Sequence, residues 1–255
     1  QKALKGEPQK IKCTMCTKYN KYLSLSIKFF AIKSKGRVIG GYGIAKDITV
    51  EERMKERIEY IANHDSLTDL PNRYFIRNHI QKLISRQAMD FALLFVDLDK
   101  FKVINDTLGH DMGDELLKDV ASRLKNSIRK KDIVGRLGGD EFVVLVKNPN
   151  DDIIKEIALE IIDRLSTPFK VKENKFSISV SIGIAKYPES GESREELIKN
   201  ADIAMYKAKE NIEGSYQFYN RDIEENFTNK LELENDLKSA LQNDELYMIY
   251  QPQFD

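Results

Sequence analysis

Residues 136–142 read Arg-Leu-Gly-Gly-Asp-Glu-Phe and lead into a Val-Val-Leu-Val run. A Gly-Gly pair between two apolar runs is the pattern of a tight hairpin. Glycine admits positive φ and lets a backbone approach a ligand closely. Asp140 and Glu141 follow the turn directly. Carboxylates on a rigid turn can hold a metal ion, and a metal beside a turn bare of side chains suits a phosphate ligand. Solvated acids on a surface hairpin would read the same way, and the hairpin alone favours that plainer account. A second acidic element shifts the balance. Residues 91–96 are Phe-Ala-Leu-Leu-Phe-Val, followed by Asp97, Leu98 and Asp99. This reads as a buried strand, and a carboxylate at its end is costly unless it is paired or bound to metal. A helix is expected from Lys100 onward with Asp99 as its cap, which leaves Asp97 for the metal. Two acidic loops at neighbouring strand ends form the arrangement used in two-metal phosphoryl or nucleotidyl transfer.

The elements that must hold these acids follow from apolar spacing. Phe75, Ile76, Ile80, Leu83 and Ile84 predict one helix. Met112, Leu116, Leu117, Val120, Leu124 and Ile128 predict a second. Ile153, Ile154, Ile157, Ile161, Ile162 and Leu165 predict a third, and another is expected near 194–210. Strands are expected at 91–97, 132–137, 141–147 and 176–186, the last strictly alternating. Hairpins mixed with helical crossovers argue for an α+β fold, with a mainly antiparallel central sheet and flanking helices. Upstream, residues 20–49 look β-rich, and a helix follows over about 50–63. Its stripe of Val50, Met54, Ile58 and Ile61 could pack on its own domain or pair as a two-stranded coiled coil. Downstream, a polar amphipathic helix is expected over 221–242.

The chain has 255 residues, with 41 basic and 41 acidic, so bulk charge gives no reason to expect a nucleic-acid binder. No apolar run reaches the length of about 18 residues that a membrane span requires. The chain begins with Gln1, so a piece of a longer protein is expected, and a signal peptide or membrane segment could precede it. The two cysteines, Cys13 and Cys16, form one Cys-x-x-Cys. A zinc site needs a second pair and a thioredoxin-like motif needs a strand-to-helix context, so two ordinary thiols are expected. Low cysteine usage fits a reducing compartment.

Four ordered blocks carry a family resemblance: residues 64–73 (His-Asp-Ser-Leu-Thr-Asp-Leu-Pro-Asn-Arg), residues 96–114 from Val96 to Asp114, the hairpin at 136–142, and residues 201–209 (Ala-Asp-Ile-Ala-Met-Tyr-Lys-Ala-Lys). Together they resemble the GGDEF diguanylate cyclases over about residues 60–220. The resemblance implies the palm-like fold of nucleotidyl cyclases and polymerases. It implies that two GTP molecules on facing subunits of a homodimer condense to cyclic di-GMP with loss of pyrophosphate, with Mg²⁺ or Mn²⁺ and in the cytoplasm. It also suggests boundaries: 1–49 resembling the end of a PAS sensor domain, 50–65 a linker helix, 66–220 the GGDEF domain, and 221–255 a second linker helix with the first strand of an EAL phosphodiesterase domain.

The same resemblance implies roles. Asp97, the Leu98 carbonyl and Glu141 would ligate the metal, a hard ion that prefers oxygen. Asp140 would join them or take the proton from the attacking hydroxyl. Main-chain amides near Lys100 and Phe101, with the Lys102 side chain, would hold the β- and γ-phosphates at a helix start. Lys102 would also offset charge developing in the transition state. Asn105 and Asp114 would read guanine, whose N1–H and amine suit a carboxylate. His110 is expected to be structural or ligand-adjacent. Arg129 and Asp132, at the family's offset from the hairpin, would form an inhibitory product site. Lys209 would bind phosphate, whereas Glu213 stands where the family has an arginine and would repel triphosphate. A weakly active GTP-binding module that regulates an EAL phosphodiesterase is therefore the alternative to a working cyclase.

Overall fold

The computed structural model describes residues 9–86, 89–171, 174–211, 214–243, 245, 247 and 249–252. They fall into two compact units, 1–62 and 63–255. In the first, β1 (Gln9–Cys16), β2 (Tyr22–Ser34) and β3 (Arg37–Asp47) form an antiparallel sheet in that order. Helix α1 (Thr49–Asn63) follows. Asp47 caps its start by accepting from the Thr49 amide at 2.9 Å and hydroxyl at 2.6 Å. Val50, Met54, Ile58 and Ile61 are all exposed, so the α1 stripe is not packed on its own sheet. Strand β1 escaped the sequence reading because its alternation of Lys, Thr and Cys carries little apolar signal. Cys13 and Cys16 lie three residues apart on it as free thiols, on opposite sides of the pleat.

The second unit is built on β4 (Phe91–Leu98), every residue of which is buried. It is the middle strand of a sheet completed by β5 (Ile133–Gly138), β6 (Glu141–Lys147), β9 (Val180–Tyr187) and β10 (Tyr216–Phe218), in the order β10-β9-β4-β6-β5. All neighbours are antiparallel except the edge pair β10–β9. Helices cover both faces, which is why β4 reads as a continuous apolar run. Leu94, Val96 and Leu98 pack against α4 (His110–Ser127) and α5 (Asp151–Ser166). Phe91, Leu93 and Phe95 pack against α2 (Arg73–Arg86) and α6 (Arg194–Asn211). Each fully buried side chain of this kind contributes about 1.5–3 kcal/mol. Short helix α3 (Phe101–Leu108) bridges β4 to α4, and α7 (Arg221–Gln242) follows β10. The Phe227 ring of α7 meets the Tyr206 ring of α6 edge-on, with centroids 5.2 Å apart. A small hairpin, β7 (Phe169–Val171) with β8 (Asn174–Phe176), stands outside the main sheet.

Three expectations need correction. The alternating stretch 176–186 is not one strand. Phe176 ends β8, and β9 begins only at Val180, opposite Leu98. Upstream of Val180 one backbone bond remains, from the Asp99 amide to the Ser179 carbonyl at 3.0 Å, and the chain then turns at Lys100 into α3, which ends the ladder. Asp99 does not cap α3. Lys100 holds the N-cap position in the left-handed region at φ 60°, with no side-chain cap. The buried Asp99 carboxylate instead accepts from the Ser181 hydroxyl at 2.8 Å. Ile128 falls just past the end of α4, as its C-cap. The expected C-terminal strand lies partly outside the described residues, and 245, 247 and 249–252 carry no regular structure. Among the described residues no helix is long and apolar enough to cross a membrane.

Helix α6 lies against β9 with no room between them. A Cβ on Gly183 would fall 1.9 Å from the Ala201 carbonyl oxygen and 2.2 Å from the Met205 nitrogen. Both are backbone atoms, so α6 itself would have to move. G183A is expected to lose at least about 1–3 kcal/mol, read as a fall in the midpoint of urea unfolding; an unchanged midpoint would contradict this packing.

Candidate active site

Strand register assembles the site. Asp97 is paired with Glu141 on β6 and with Ser181 on β9. Asp97, Glu141 and Ser181 therefore share the sheet face that α6 covers, at the end of β4 where the chain turns into α3. From α6, Lys209 brings its Nζ to 2.6 Å from Asp97 Oδ1. The ammonium meets this buried oxygen directly and offsets part of its charge.

The electrostatics describe a site short of positive charge. Burial pushes the Asp97 carboxyl up to about 6. Lys209 opposes the rise, whereas Asp140 and Asp99 add to it. Burial also raises Glu141; Arg73 opposes this, and Asp202 and Asp140 reinforce it. Asp202, on α6, is itself raised by its surroundings and steadied by Lys209. A cluster of carboxyls that raise one another, with Lys209 among them, fits a divalent cation. Asp97 and Glu141 can hold it, with the Leu98 carbonyl and Asp140 within the same strand ends. Among the described residues no three His, Cys, Asp or Glu side chains are set to cage a metal alone.

The hairpin between β5 and β6 has the expected shape. Gly138 and Gly139 have φ of 145° and 53°, with open space where a Cβ would sit. Pairing slips between Arg136 and Gly138, leaving Leu137 as the extra residue of a bulge. Arg136 donates from Nε (3.0 Å) and Nη2 (2.8 Å) to the Gly139 carbonyl, and from Nη1 to Asp65 Oδ1 at 2.9 Å. Asp65 also accepts from the Thr68 amide and hydroxyl. Arg73 donates from Nε to the Leu137 carbonyl at 3.0 Å, and its Nη2 lies 3.4 Å from Glu141 Oε2.

Around the start of α3, Phe101 is buried and pins the helix, while Lys100 and Lys102 are exposed. Asn105 is half-buried, and its Oδ1 is buried without a partner. Asp114 and His110 are exposed on the first turns of α4. Asn105 and Asp114 thus flank one corner, α3 against α4. Glu213 lies outside the described residues.

Arg129 and Asp132 sit apart, before β5. Arg129 grips Asp132 by two parallel contacts, Nε–Oδ2 at 2.6 Å and Nη2–Oδ1 at 3.0 Å, and also donates to the Lys147 carbonyl at 3.1 Å. Asp132 Oδ1 further accepts from the Lys147 amide at 3.0 Å. The Asp132 side chain has no exposed surface, while that of Arg129 keeps 31%.

Sequence reading overlooked Arg73, Arg136, Asp65 and Asp202. Asp202 was visible in principle, since it lies two helical turns from Lys209 on the same face of α6. Arg73 and the Arg136–Asp65 pair carried no local signal, because these contacts span 64 to 71 residues.

A mainly antiparallel sheet with paired acids at adjacent strand ends and helices on both faces defines the palm-like fold of nucleotidyl cyclases. The family described as "Diguanylate cyclase, GGDEF domain" matches residues 62–215, and the chain belongs to it. Domains of this family work with a divalent metal ion. The chain is 38% identical over 235 residues to the signaling protein YkoW of Bacillus subtilis, matching 90% of this chain and 29% of that protein. It is 40% identical over 203 residues to the bifunctional diguanylate cyclase/cyclic di-GMP phosphodiesterase MucR of Pseudomonas aeruginosa, matching 78% of this chain and 30% of that one. It thus spans less than a third of either curated relative. A solved structure of the isolated GGDEF domain of TpbB from Pseudomonas aeruginosa is similar at a TM-score of 0.61 and 38% identity, covering 65% of this chain and 99% of that one.

The raised Asp97 carboxyl sets a pH dependence. In the unfolded chain it titrates near the ordinary value of about 4. Between about pH 4 and about pH 6 the metal-free folded state therefore binds more protons, and Asp97 withdraws stability as pH rises through that window. The effect is on the order of 1–3 kcal/mol. D97N is expected to be more stable than wild type near pH 7.5 and to lose that advantage below about pH 4. Chemical denaturation in chelator at both pH values checks this; equal stability at both would contradict it.

Proposed function

We propose that this chain is a metal-dependent diguanylate cyclase, active in the cytoplasm as a homodimer. The observation that carries the reading is the Asp97–Glu141 pair in register beside the α3 start, with Lys209 closing on Asp97 Oδ1. Each subunit would bind one GTP. The 3′-hydroxyl of each nucleotide attacks the α-phosphate of the other, two P–O bonds form, and two pyrophosphates leave. A two-fold axis brings the half-sites together. Mg²⁺ or Mn²⁺ held by Asp97, Glu141 and the Leu98 carbonyl would supply charge neutralisation at the phosphates. Asp140 shares that cluster or takes the hydroxyl proton. The α3 amides near Lys100 and Phe101, with Lys102, hold the β- and γ-phosphates. Lys209 exchanges its contact with Asp97 for one with phosphate. Asn105 Oδ1, buried and without a donor, and Asp114 accept from the guanine N1–H and amine; His110 stands beside them.

The boundaries proposed are a PAS-like piece over 1–49, a linker over 50–65, the catalytic domain over 66–220, and the approach to an EAL domain over 221–255. The dual name of MucR favours a second reading, in which the domain binds GTP, turns over weakly and regulates a phosphodiesterase. Incubation of the purified chain with GTP and Mg²⁺ or Mn²⁺, with chromatography of the products, separates the two. Cyclic di-GMP should accumulate with wild type and fall to background with E141Q. GTP binding without product at any protein concentration would favour the regulatory module.

Arg129 is proposed to bind the product cyclic di-GMP through the exposed part of its guanidinium, with Asp132 fixing its orientation from within. Bound product would favour a subunit arrangement that keeps the half-sites apart. R129A should therefore remove inhibition by added cyclic di-GMP while GTP binding stays unchanged. Inhibition that persists in R129A, or is missing from wild type, counts against the site.

A further inference from the structure

We propose that Arg73 is a positioning residue that holds the hairpin and aims Glu141 at the metal, an inference that rests on the metal-dependent reading above. The turn cannot hold itself. Its two turn residues are Gly139 and Asp140, open space surrounds Gly138 and Gly139, and Leu137 is a bulge residue outside the ladder. Glu141, immediately beyond, is a metal-ligand candidate. Arg73 closes this loop from outside, with Nε on the Leu137 carbonyl before the turn and Nη2 against Glu141 Oε2 after it. Arg73 is itself fixed. It begins α2, and the preceding Asn72 caps that helix by accepting from the Phe75 amide at 3.0 Å. The pair leaves Glu141 Oε1 for the metal.

Magnitudes separate this role from a structural one. The Arg73 and Glu141 side chains keep 59% and 38% of their surface. Ion pairs this exposed contribute little to stability. Partners that orient a metal ligand, by contrast, typically change metal affinity about 10–100-fold when removed. The guanidinium geometry matters as well, because a lysine ammonium can meet Leu137 or Glu141 but cannot span both.

The test is Mn²⁺ binding to the full chain with a non-hydrolysable GTP analogue, followed by electron paramagnetic resonance, for wild type, R73A and R73K. R73A should weaken Mn²⁺ binding about 10–100-fold with the unfolding midpoint nearly unchanged, and R73K should recover only part of the loss. Hydrogen exchange at the amides of residues 138–141 should speed up in metal-free R73A. Wild-type Mn²⁺ affinity in R73A, or a loss matched by a collapse of the unfolding midpoint, overturns the proposal while leaving the cyclase reading intact. A wild-type chain that takes up no Mn²⁺ with the analogue overturns both.

Discussion

The structure turns on one carboxylate, Asp97, placed where a carboxylate is least at home. It ends a strand whose other residues are all buried and apolar. Removing such a group from water costs several kcal/mol unless charge of the opposite sign comes to it. Helix α6 answers by reaching over with Lys209, and α3 begins three residues beyond the strand end, while β6 sets a second negative charge, Glu141, opposite. Lys209 offsets only part of that charge, since Asp140 and Asp99 press on Asp97 from the other side.

Stability and chemistry are divided between different parts of the second unit. The two apolar clusters on either side of β4 supply the folding energy and fix strand register to the residue. That register cannot slip, since a shift by one would send Asp97 and Glu141 to the α4–α5 face and bring apolar side chains to the site. The hairpin contributes almost nothing to the core. Its glycines give the open approach a nucleotide needs, and its rigidity is borrowed from Arg136 and Arg73. Through Asp65, the Arg136 contact ties the hairpin to the segment just after α1.

The Arg129–Asp132 pair follows a different logic. Asp132 is fully enclosed and meets Arg129 through both oxygens, with the Lys147 amide as a further donor. Breaking one partner of such a buried pair costs about 3–5 kcal/mol. Asp132 is thus part of the β5–β6 framework, and only the guanidinium edge faces solvent. A four-residue motif read as two ligand-binding side chains resolves into one anchor and one presented group.

Much of this was legible in the sequence. Helix spacing located α2, α4, α5 and α6, because each buries one apolar face and 3.6-residue periodicity reports such a face directly; α7 was legible too, although Leu233, Leu237 and Leu241 on it stay exposed. The Gly-Gly turn announced the hairpin, and the acids ending two apolar runs announced the site. Other features were decided only in three dimensions. Whether 176–186 is one strand depends on where its neighbour β4 stops. Asp99 binds Ser181 rather than capping α3, because β9 lies beside it and the turn at Lys100 directs the chain away. Arg73 and Asp65 join the hairpin from more than sixty residues away. Local pattern records which face of an element is buried; it holds no record of which distant residue lies against that face, and that pairing is set by tertiary packing alone.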